Sequence, residues 1–354
     1  MTAPLPVAVI GAGRMGGHHV RLYSQMPQVK LVAVVDADIE RARAAAEPVG
    51  AKWATELTPD LGDIAAVSVA TPTAYHLAVS RPLIERGVSV LIEKPLAGSP
   101  EEAEEIAALA KRHDVLVAVG HTERFNPAVR AVHRLGVRAK YVESSRVSPF
   151  PFRSADVGVV FDIMIHDIDV LLSLVPEDVA RVDAVGVNVL GAHEDVASAR
   201  ITFAGGAVAN LTASRLALKT ERRLRVFSER AYVSLDYHHK QGIAVTLDKN
   251  ADVIRFAQER GLDDLSQLAG ADFKQLVKVE PLLIDNKDAL GTELETFIDC
   301  VRNRSKPPVS VEDGVRAVRV AARIVEKIKS HRWDGDEAGR VGLAADIVRG
   351  EAMR

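Results

Sequence analysis

The 354-residue sequence has a single cysteine, Cys300. One thiol cannot form an internal disulfide or build a cysteine-rich metal site, a usage that fits a reducing compartment, so the expected location is the cytoplasm. Charge of one sign is not in surplus either. The 45 Lys and Arg against 48 Asp and Glu leave a formal charge of −3, which excludes a strongly basic nucleic-acid binder by net charge. Long apolar runs are missing: Val67–Ala70 and Val115–Val119 fall far below the roughly 18 residues that span a bilayer. The opening Thr2-Ala3-Pro4-Leu5-Pro6 lacks a basic region, apolar core and cleavage site in order, so neither a membrane span nor a secretion signal is expected. Repeats, low-complexity linkers and long charge runs are absent too, which removes the disordered and fibrous classes. What is present is the balance of an ordinary globular protein, 47% hydrophobic and 26% charged, long enough for two domains at roughly 100–200 residues each.

Up to about residue 120 the chain alternates short β-branched runs with stretches of helical length. Val7–Ile10, Leu31–Val35, Ala65–Ala70, Val88–Ile92 and Val115–Val119 read as strands apolar on both faces, as in a buried parallel sheet. Helices are predicted at about 14–26, 38–47, 74–87 and 99–113. Ser99-Pro100-Glu101-Glu102 supplies an N-cap, a first-turn Pro and acids for the positive end of the helix dipole. Repeated strand–helix–strand units imply right-handed crossovers and a doubly wound sheet with ligands beyond the carboxyl ends of its strands. After residue 120 the rhythm changes. One helix is predicted at about 158–175, then strands at 182–189, 197–203, 207–214, 223–227, 231–235 and 243–247 with turn signals between them. The expected fold is therefore an N-terminal Rossmann domain, residues 1–120, followed by an α+β domain, residues 121–354, built on an open, mostly antiparallel sheet. Two closing helices, about 291–303 and 312–330, are candidates to pack back on the first domain. The polar stretch 249–280 is ambiguous between a helical insertion and a loop.

Val7-Ala8-Val9-Ile10 runs into Gly11-Ala12-Gly13-Arg14-Met15-Gly16 with helix behind it. In such a turn Gly11 permits the tight bend, Gly13 admits backbone amides to a pyrophosphate, and Gly16 lets the helix pack closely, while the helix N-terminus attracts the anion. Three glycines alone are a weak signal. Here they follow a strand, precede a helix, and lie upstream of Asp36 at the end of the next strand, where a carboxylate would accept hydrogen bonds from the adenosine ribose. Asp36 repels a 2′-phosphate, and neighbouring Ala37 and Asp38 offer no cation to receive one, so NAD is the expected cofactor. Arg41 and Arg43 read as a solvated helix face.

Two further features carry candidate chemistry. Strand Val88–Ile92 ends in Glu93-Lys94-Pro95, which sets a lysine at the carboxyl edge of the sheet. In the predicted 158–175 helix, Asp162, His166 and Asp169 share one face at i, i+4 and i+7. The rest of that helix is so apolar that its polar stripe must be satisfied internally or used by a ligand. A buried structural histidine is the bland reading. A metal is the third, and no further ligand cluster accompanies these residues, so none is expected.

Taken together, these motifs resemble the Gfo/Idh/MocA family of NAD(P)-dependent sugar oxidoreductases. The resemblance rests on the glycine turn at 11–16, Ala70-Thr71-Pro72 followed by His76, Glu93-Lys94-Pro95, the Asp162-x-x-x-His166 helix, and the closing Glu293-Leu294-x-x-Phe297 helix before Pro307-Pro308. It implies a cofactor site that includes Ala12, Arg14, Met15, Ala70, Thr71, Pro72, His76, Glu93, Lys94 and His121 beside the three glycines and Asp36. Lys94 and His166 map onto the family's catalytic pair and Asp162 onto a substrate contact. The approach to that helix departs from the family's usual glycine-rich text, reading Asp156-Val157-Gly158-Val159-Val160-Phe161. Gly120-His121-Thr122-Glu123-Arg124-Phe125-Asn126-Pro127, with residues 156–169, is most similar to the branch that oxidises UDP-N-acetylglucosamine at C3, whose keto product is transaminated, as in lipid A biosynthesis.

Oxidising a secondary alcohol removes the hydroxyl proton as hydride leaves carbon, a task suited to His166 as base with Lys94 hydrogen-bonding the developing alkoxide; the two roles are also exchangeable. A diphosphate-bearing substrate needs donors, for which Arg124, Arg153 and Arg215 are candidates. The partners implied are a UDP-sugar, a second copy of the chain in a homodimer or homotetramer, and a PLP aminotransferase; neither nucleic acid nor membrane is expected. The alternatives are a dehydrogenase of another sugar, an inositol or a related small molecule, and, from another class, a non-catalytic NAD-binding regulator.

Overall fold

In the computed structural model, residues 3–58, 61–150, 157–190, 193–237, 239–247 and 278–333 are described. The chain divides into two compact units, residues 1–126 with 287–322 and residues 127–286 with 323–354.

The first unit is a six-stranded parallel sheet in the order β3-β2-β1-β4-β5-β6. Its strands are β1 (Leu5–Ile10), β2 (Val29–Val35), β3 (Lys52–Ala54), β4 (Ala66–Val69), β5 (Ser89–Glu93) and β6 (Val117–Gly120). Between them lie α1 (Arg14–Gln25), α2 (Ile39–Ala46), α3 (His76–Glu85) and α4 (Pro100–His113). The order reverses at β1 and β4, the place where doubly wound sheets bind their ligands. Helix ends follow local chemistry: Asp38 caps α2 by accepting from the Glu40 and Arg41 amides, and the Ser99 hydroxyl accepts the Glu102 amide at the start of α4. Helix α7 (Ala289–Asn303) joins this unit's core. Leu294, Phe297 and Ile298 are buried with Val7, Val9, Tyr23 and Leu91, each apolar side chain contributing about 1.5–3 kcal/mol relative to exposure. Cys300 is buried on the same helix.

The second unit is an eight-stranded sheet in the order β14-β13-β12-β11-β7-β10-β9-β8. Its strands are β7 (Tyr141–Val147), β8 (Val179–Val187), β9 (Val196–Phe203), β10 (Val208–Ser214), β11 (Glu221–Phe227), β12 (Ala231–Asp236), β13 (Gln241–Thr246) and β14 (Glu280–Pro281). All neighbours are antiparallel except β7 and β10. Hydropathy does not predict the central β7, because its inward positions include the buried polar residues Ser144 and Arg146. Helices α5 (Pro127–Arg134) and α6 (Ile165–Leu174) belong to this unit, and α8 (Val311–Ser330) crosses the division. The helix predicted over 158–175 is in two parts, a π-helical turn at Val160–Met164 running into α6. Of the ambiguous 249–280 stretch, all but residues 278–280 lies outside the described residues.

Candidate active site

The glycine turn closes on itself. Gly11 has φ +95°, and a Cβ there would stand 2.5 Å from the Ala70 carbonyl oxygen. A Cβ on Gly16 would stand 1.7 Å from the Gly11 oxygen. Both positions therefore require glycine for packing. Gly13 differs, since a Cβ there would meet nothing within 4 Å. The middle glycine thus leaves its room to something other than protein, as a backbone that must approach a pyrophosphate would. Gly13 is also the N-cap of α1, without a side-chain cap and with no acid in the first turn. The first-turn amides have no intrahelical acceptor by geometry, and the positive end of the dipole faces the same way. Arg14 and Met15 are exposed beside it.

Asp36, at the end of β2, is tied to this turn. Its Oδ2 accepts the Ala12 amide at 2.7 Å and its Oδ1 the Asp38 amide at 2.9 Å. Arg41 is not a free cation awaiting a 2′-phosphate, for its guanidinium lies 3.3 Å from Asp36 and 3.1 Å from Asp38. The residues present fit an NAD dinucleotide: a glycine-lined opening, a helix N-terminus and a ribose-binding acid on the next strand.

The loops after β4 and β5 are joined by His76. This buried ring places Nδ1 3.0 Å from the Pro95 carbonyl oxygen and Nε2 3.0 Å from that of Thr71. Burial pushes its pKa below the usual imidazole range, although the three carbonyls around it favour the cation. Ala70, Thr71 and Pro72 are thereby anchored to Lys94-Pro95, with Ala70 also donating its amide to Ile10 at 2.7 Å. Lys94 is half-buried and Glu93 almost fully buried. His121, at the end of β6, is fully buried and caps the 3₁₀ turn Thr122–Phe125. Arg124 of that turn lies 3.9 Å from Asp313, and the Thr122 hydroxyl donates to Glu293 at 2.9 Å. The closing-helix glutamate thus holds the loop after β6.

In the second unit Asp162 and His166 are half-buried, whereas Asp169 is sealed at 1% exposure. The π-helical turn contains Asp162 and ends two residues before His166. Such turns are rare and recur at functional sites. Two buried ion pairs pin this segment. Arg146 on β7 forks onto Asp167, next to His166, at 2.9 and 2.8 Å. Arg215 bonds Asp195 at 2.7 Å and donates to the Val157 carbonyl oxygen at 2.6 Å. Burial alone would raise the Asp195 carboxyl, but the Leu190 and Val189 amides and the Arg215 guanidinium bring it below the ordinary range. Glu194 accepts the Val160 amide at 3.2 Å, and its carboxylate occupies the space that a Cβ on Gly158 would need. Sequence reasoning missed Arg146, Asp167, Glu194 and Asp195, whose partners lie 20 or more residues away for each ion pair. Arg215, weighed as a diphosphate donor, is fully enclosed in this network. Arg153 lies outside the described residues. Among the described residues no His, Cys, Asp and Glu group is placed to hold a metal, and no helix is long and apolar enough to cross a membrane.

A parallel sheet of this order, with a glycine turn at its switch point and an acid on the neighbouring strand, defines a dinucleotide-dependent oxidoreductase. Residues 5–121 match the family profile described as "Oxidoreductase family, NAD-binding Rossmann fold", and residues 146–333 that described as "Oxidoreductase family, C-terminal alpha/beta domain". The UDP-N-acetylglucosamine 3-dehydrogenase of Acidithiobacillus ferrooxidans is 33% identical over 319 residues, 90% of this chain and 94% of that one. Its crystal structure superposes with a TM-score of 0.82 at 29% identity, covering 92% of this chain and 98% of the other. The scyllo-inositol 2-dehydrogenase (NAD(+)) of Bacillus subtilis is 27% identical over 86% of this chain and 88% of its own length. The chain belongs to the Gfo/Idh/MocA oxidoreductase family, and its cofactor is NAD.

Proposed function

We propose that the protein oxidises the 3-hydroxyl of UDP-N-acetylglucosamine to the 3-keto sugar with NAD. The observation that carries this reading is the 33% identity to an enzyme of that activity, sustained over 94% of the relative's length. NAD, when bound, supplies the hydride acceptor. The chain's own residues manage the proton and the charge. His166, on the segment pinned by Arg146 and Arg215, takes the hydroxyl proton, and Lys94 donates a hydrogen bond to the oxygen as negative charge develops on it. Asp162 orients the sugar, with Arg124 and Arg153 as donors towards its diphosphate. The Gly11–Gly16 turn with Ala12, Arg14 and Met15 cradles the cofactor pyrophosphate. Asp36 holds the ribose, and Ala70-Thr71-Pro72, His76, Glu93 and His121 shape the remainder of the cofactor site.

The domain reading that goes with this is a nucleotide unit at 1–120 and a substrate and assembly unit at 121–354, of which the closing helix α7 packs back into the core of the first. The second sheet favours self-association. Its outward positions carry a row of aromatic rings, with Tyr141, Phe227 and Tyr232 at centroid separations of 5.5 and 4.9 Å, a face that a second copy would cover in a homodimer or homotetramer. A PLP aminotransferase in the cytoplasm is the matching consumer of the ketone. Reading NADH absorbance with NAD and UDP-N-acetylglucosamine, with and without an aminotransferase and glutamate, tests the substrate. Turnover on a free polyol or inositol, and none on the UDP-sugar, would overturn it. Light scattering tests the assembly, which a monomer would contradict.

A further inference from the structure

Outside the groups given a role above, His19 on α1 pairs with Glu93 at the end of β5. His19 is fully buried and Glu93 6% exposed, with Nε2 to Oε1 at 3.0 Å. The other carboxylate oxygen accepts the Lys94 amide at 3.2 Å. The site is built to hold this carboxylate, since a Cβ on Gly120 of β6 would stand 3.0 Å from its carboxyl carbon. His19 Nδ1 has no hydrogen-bond partner among the described residues. A buried N–H without an acceptor is rarer than a bare acceptor, so the ring carries its proton on Nε2 and donates it to Glu93. Burial pushes the Glu93 carboxyl up, but the His19 hydrogen bond and the Lys94 charge and amide bring it below the ordinary carboxylate range. Glu93 is therefore held as a carboxylate next to Lys94.

Asp36 on β2 and the turn after β1 fix one half of the dinucleotide on that side of the switch point, and the sheet continues through β4 and β5 on the other side. A dinucleotide held there would reach with its nicotinamide half across the switch point, on the side of the sheet whose strands end in Glu93 and Lys94. The oxidised ring bears a positive charge and the reduced ring none. We propose that Glu93, held by His19, is a positioning residue that sets the charge at the end of β5 and so favours binding of the oxidised over the reduced cofactor. This rests on the NAD-dependent reading of the site but not on which sugar is oxidised.

The test is the ratio of Kd for NAD+ to Kd for NADH, measured without sugar by calorimetry and NADH fluorescence on the full-length protein. Glu93→Gln removes the negative charge and raises the ratio about five- to tenfold, the scale of a unit charge acting over several ångströms at intermediate dielectric. Lys94→Met removes a positive charge and lowers it. His19→Leu follows Glu93→Gln, and His19→Gln, which keeps a donor, stays near the parent. An unchanged ratio in Glu93→Gln, or a shift of the same sign in Glu93→Gln and Lys94→Met, overturns the proposal. Should Glu93→Gln fail to fold, an unchanged ratio in Lys94→Met and His19→Leu overturns it equally. A protein inactive on UDP-N-acetylglucosamine that still shows opposed shifts contradicts the substrate reading alone, whereas turnover with an unmoved ratio contradicts only this inference.

Discussion

In the first unit the candidate site is made mainly of backbone: two glycines packed so tightly that a methyl group would overlap neighbouring carbonyls, one glycine facing open space, and a bare helix N-terminus. In the second unit the candidate site is two side chains, Asp162 and His166, on a segment held by the Arg146–Asp167 and Arg215–Asp195 pairs. The cofactor is the same whatever the substrate, so a backbone cradle of fixed shape suffices for it. A substrate site must place particular side chains, and here that placement depends on buried charges that are costly whenever a partner is missing.

The largest expected effect belongs to the two candidate catalytic side chains, one from each unit. Lys94→Ala and His166→Ala each lower kcat by about 10²–10⁴-fold, and in His166→Ala NAD affinity, measured by calorimetry, stays within about twofold. Near-normal kcat in either variant removes that residue from the mechanism.

The pinned segment comes next. Arg215→Ala leaves Asp195 as an unpaired buried charge and costs about 3–5 kcal/mol in denaturant unfolding. The double replacement Arg215→Met with Asp195→Leu recovers much of that loss, and if it does not, packing rather than charge holds the segment. Because the folded-state pKa of Asp195 is depressed, its contribution is complete above the unfolded carboxyl value of about 3.9 and is lost as pH falls through the folded value. A thermal melt of the parent therefore drops steeply below about pH 4, and Asp195→Asn flattens that drop.

The cradle yields smaller differences with a sharper pattern. Gly16→Ala forces a methyl against the Gly11 carbonyl and destabilises by about 1–3 kcal/mol, with NAD binding lost alongside. Gly13→Ala melts like the parent yet binds NAD more weakly, because the space filled belongs to the ligand. Equal melting losses for both would erase the distinction drawn between the two glycines. Smallest is Ser99→Ala, which removes the α4 cap for about 1 kcal/mol and leaves both sites untouched in cofactor binding and turnover.

The contrast also explains what could be read in advance. The cradle was legible because its determinants are local: strand, glycines, helix and Asp36 lie within one stretch, and Gly11 and Gly16 answer to steric needs nearby. Strands β1, β2, β4, β5 and β6 were legible through their apolar runs. Strand β7 was not, since Glu143, Ser144, Ser145 and Arg146 break the alternation, and Arg146 faces inward only because Asp167 awaits it. The π-helical turn was hidden for the same reason. Glu194 reaches it from 34 residues away, Arg215 reaches Val157 just before it from 58, and no periodicity within the helix encodes them. Asp169 shows the converse, a residue on the expected polar stripe that the structure seals inside.

We propose above that this chain uses NAD to oxidise the sugar of UDP-N-acetylglucosamine at C3. The most direct measurement follows NADH formation at neutral pH with that substrate, coupled to an aminotransferase and glutamate, and locates the new amine on the product by NMR. The expected result is NADH formation that requires the UDP-sugar, an amino group at C3, and loss of both in Lys94→Ala. No NADH from the UDP-sugar under coupled conditions, or an amine at another carbon, would contradict it.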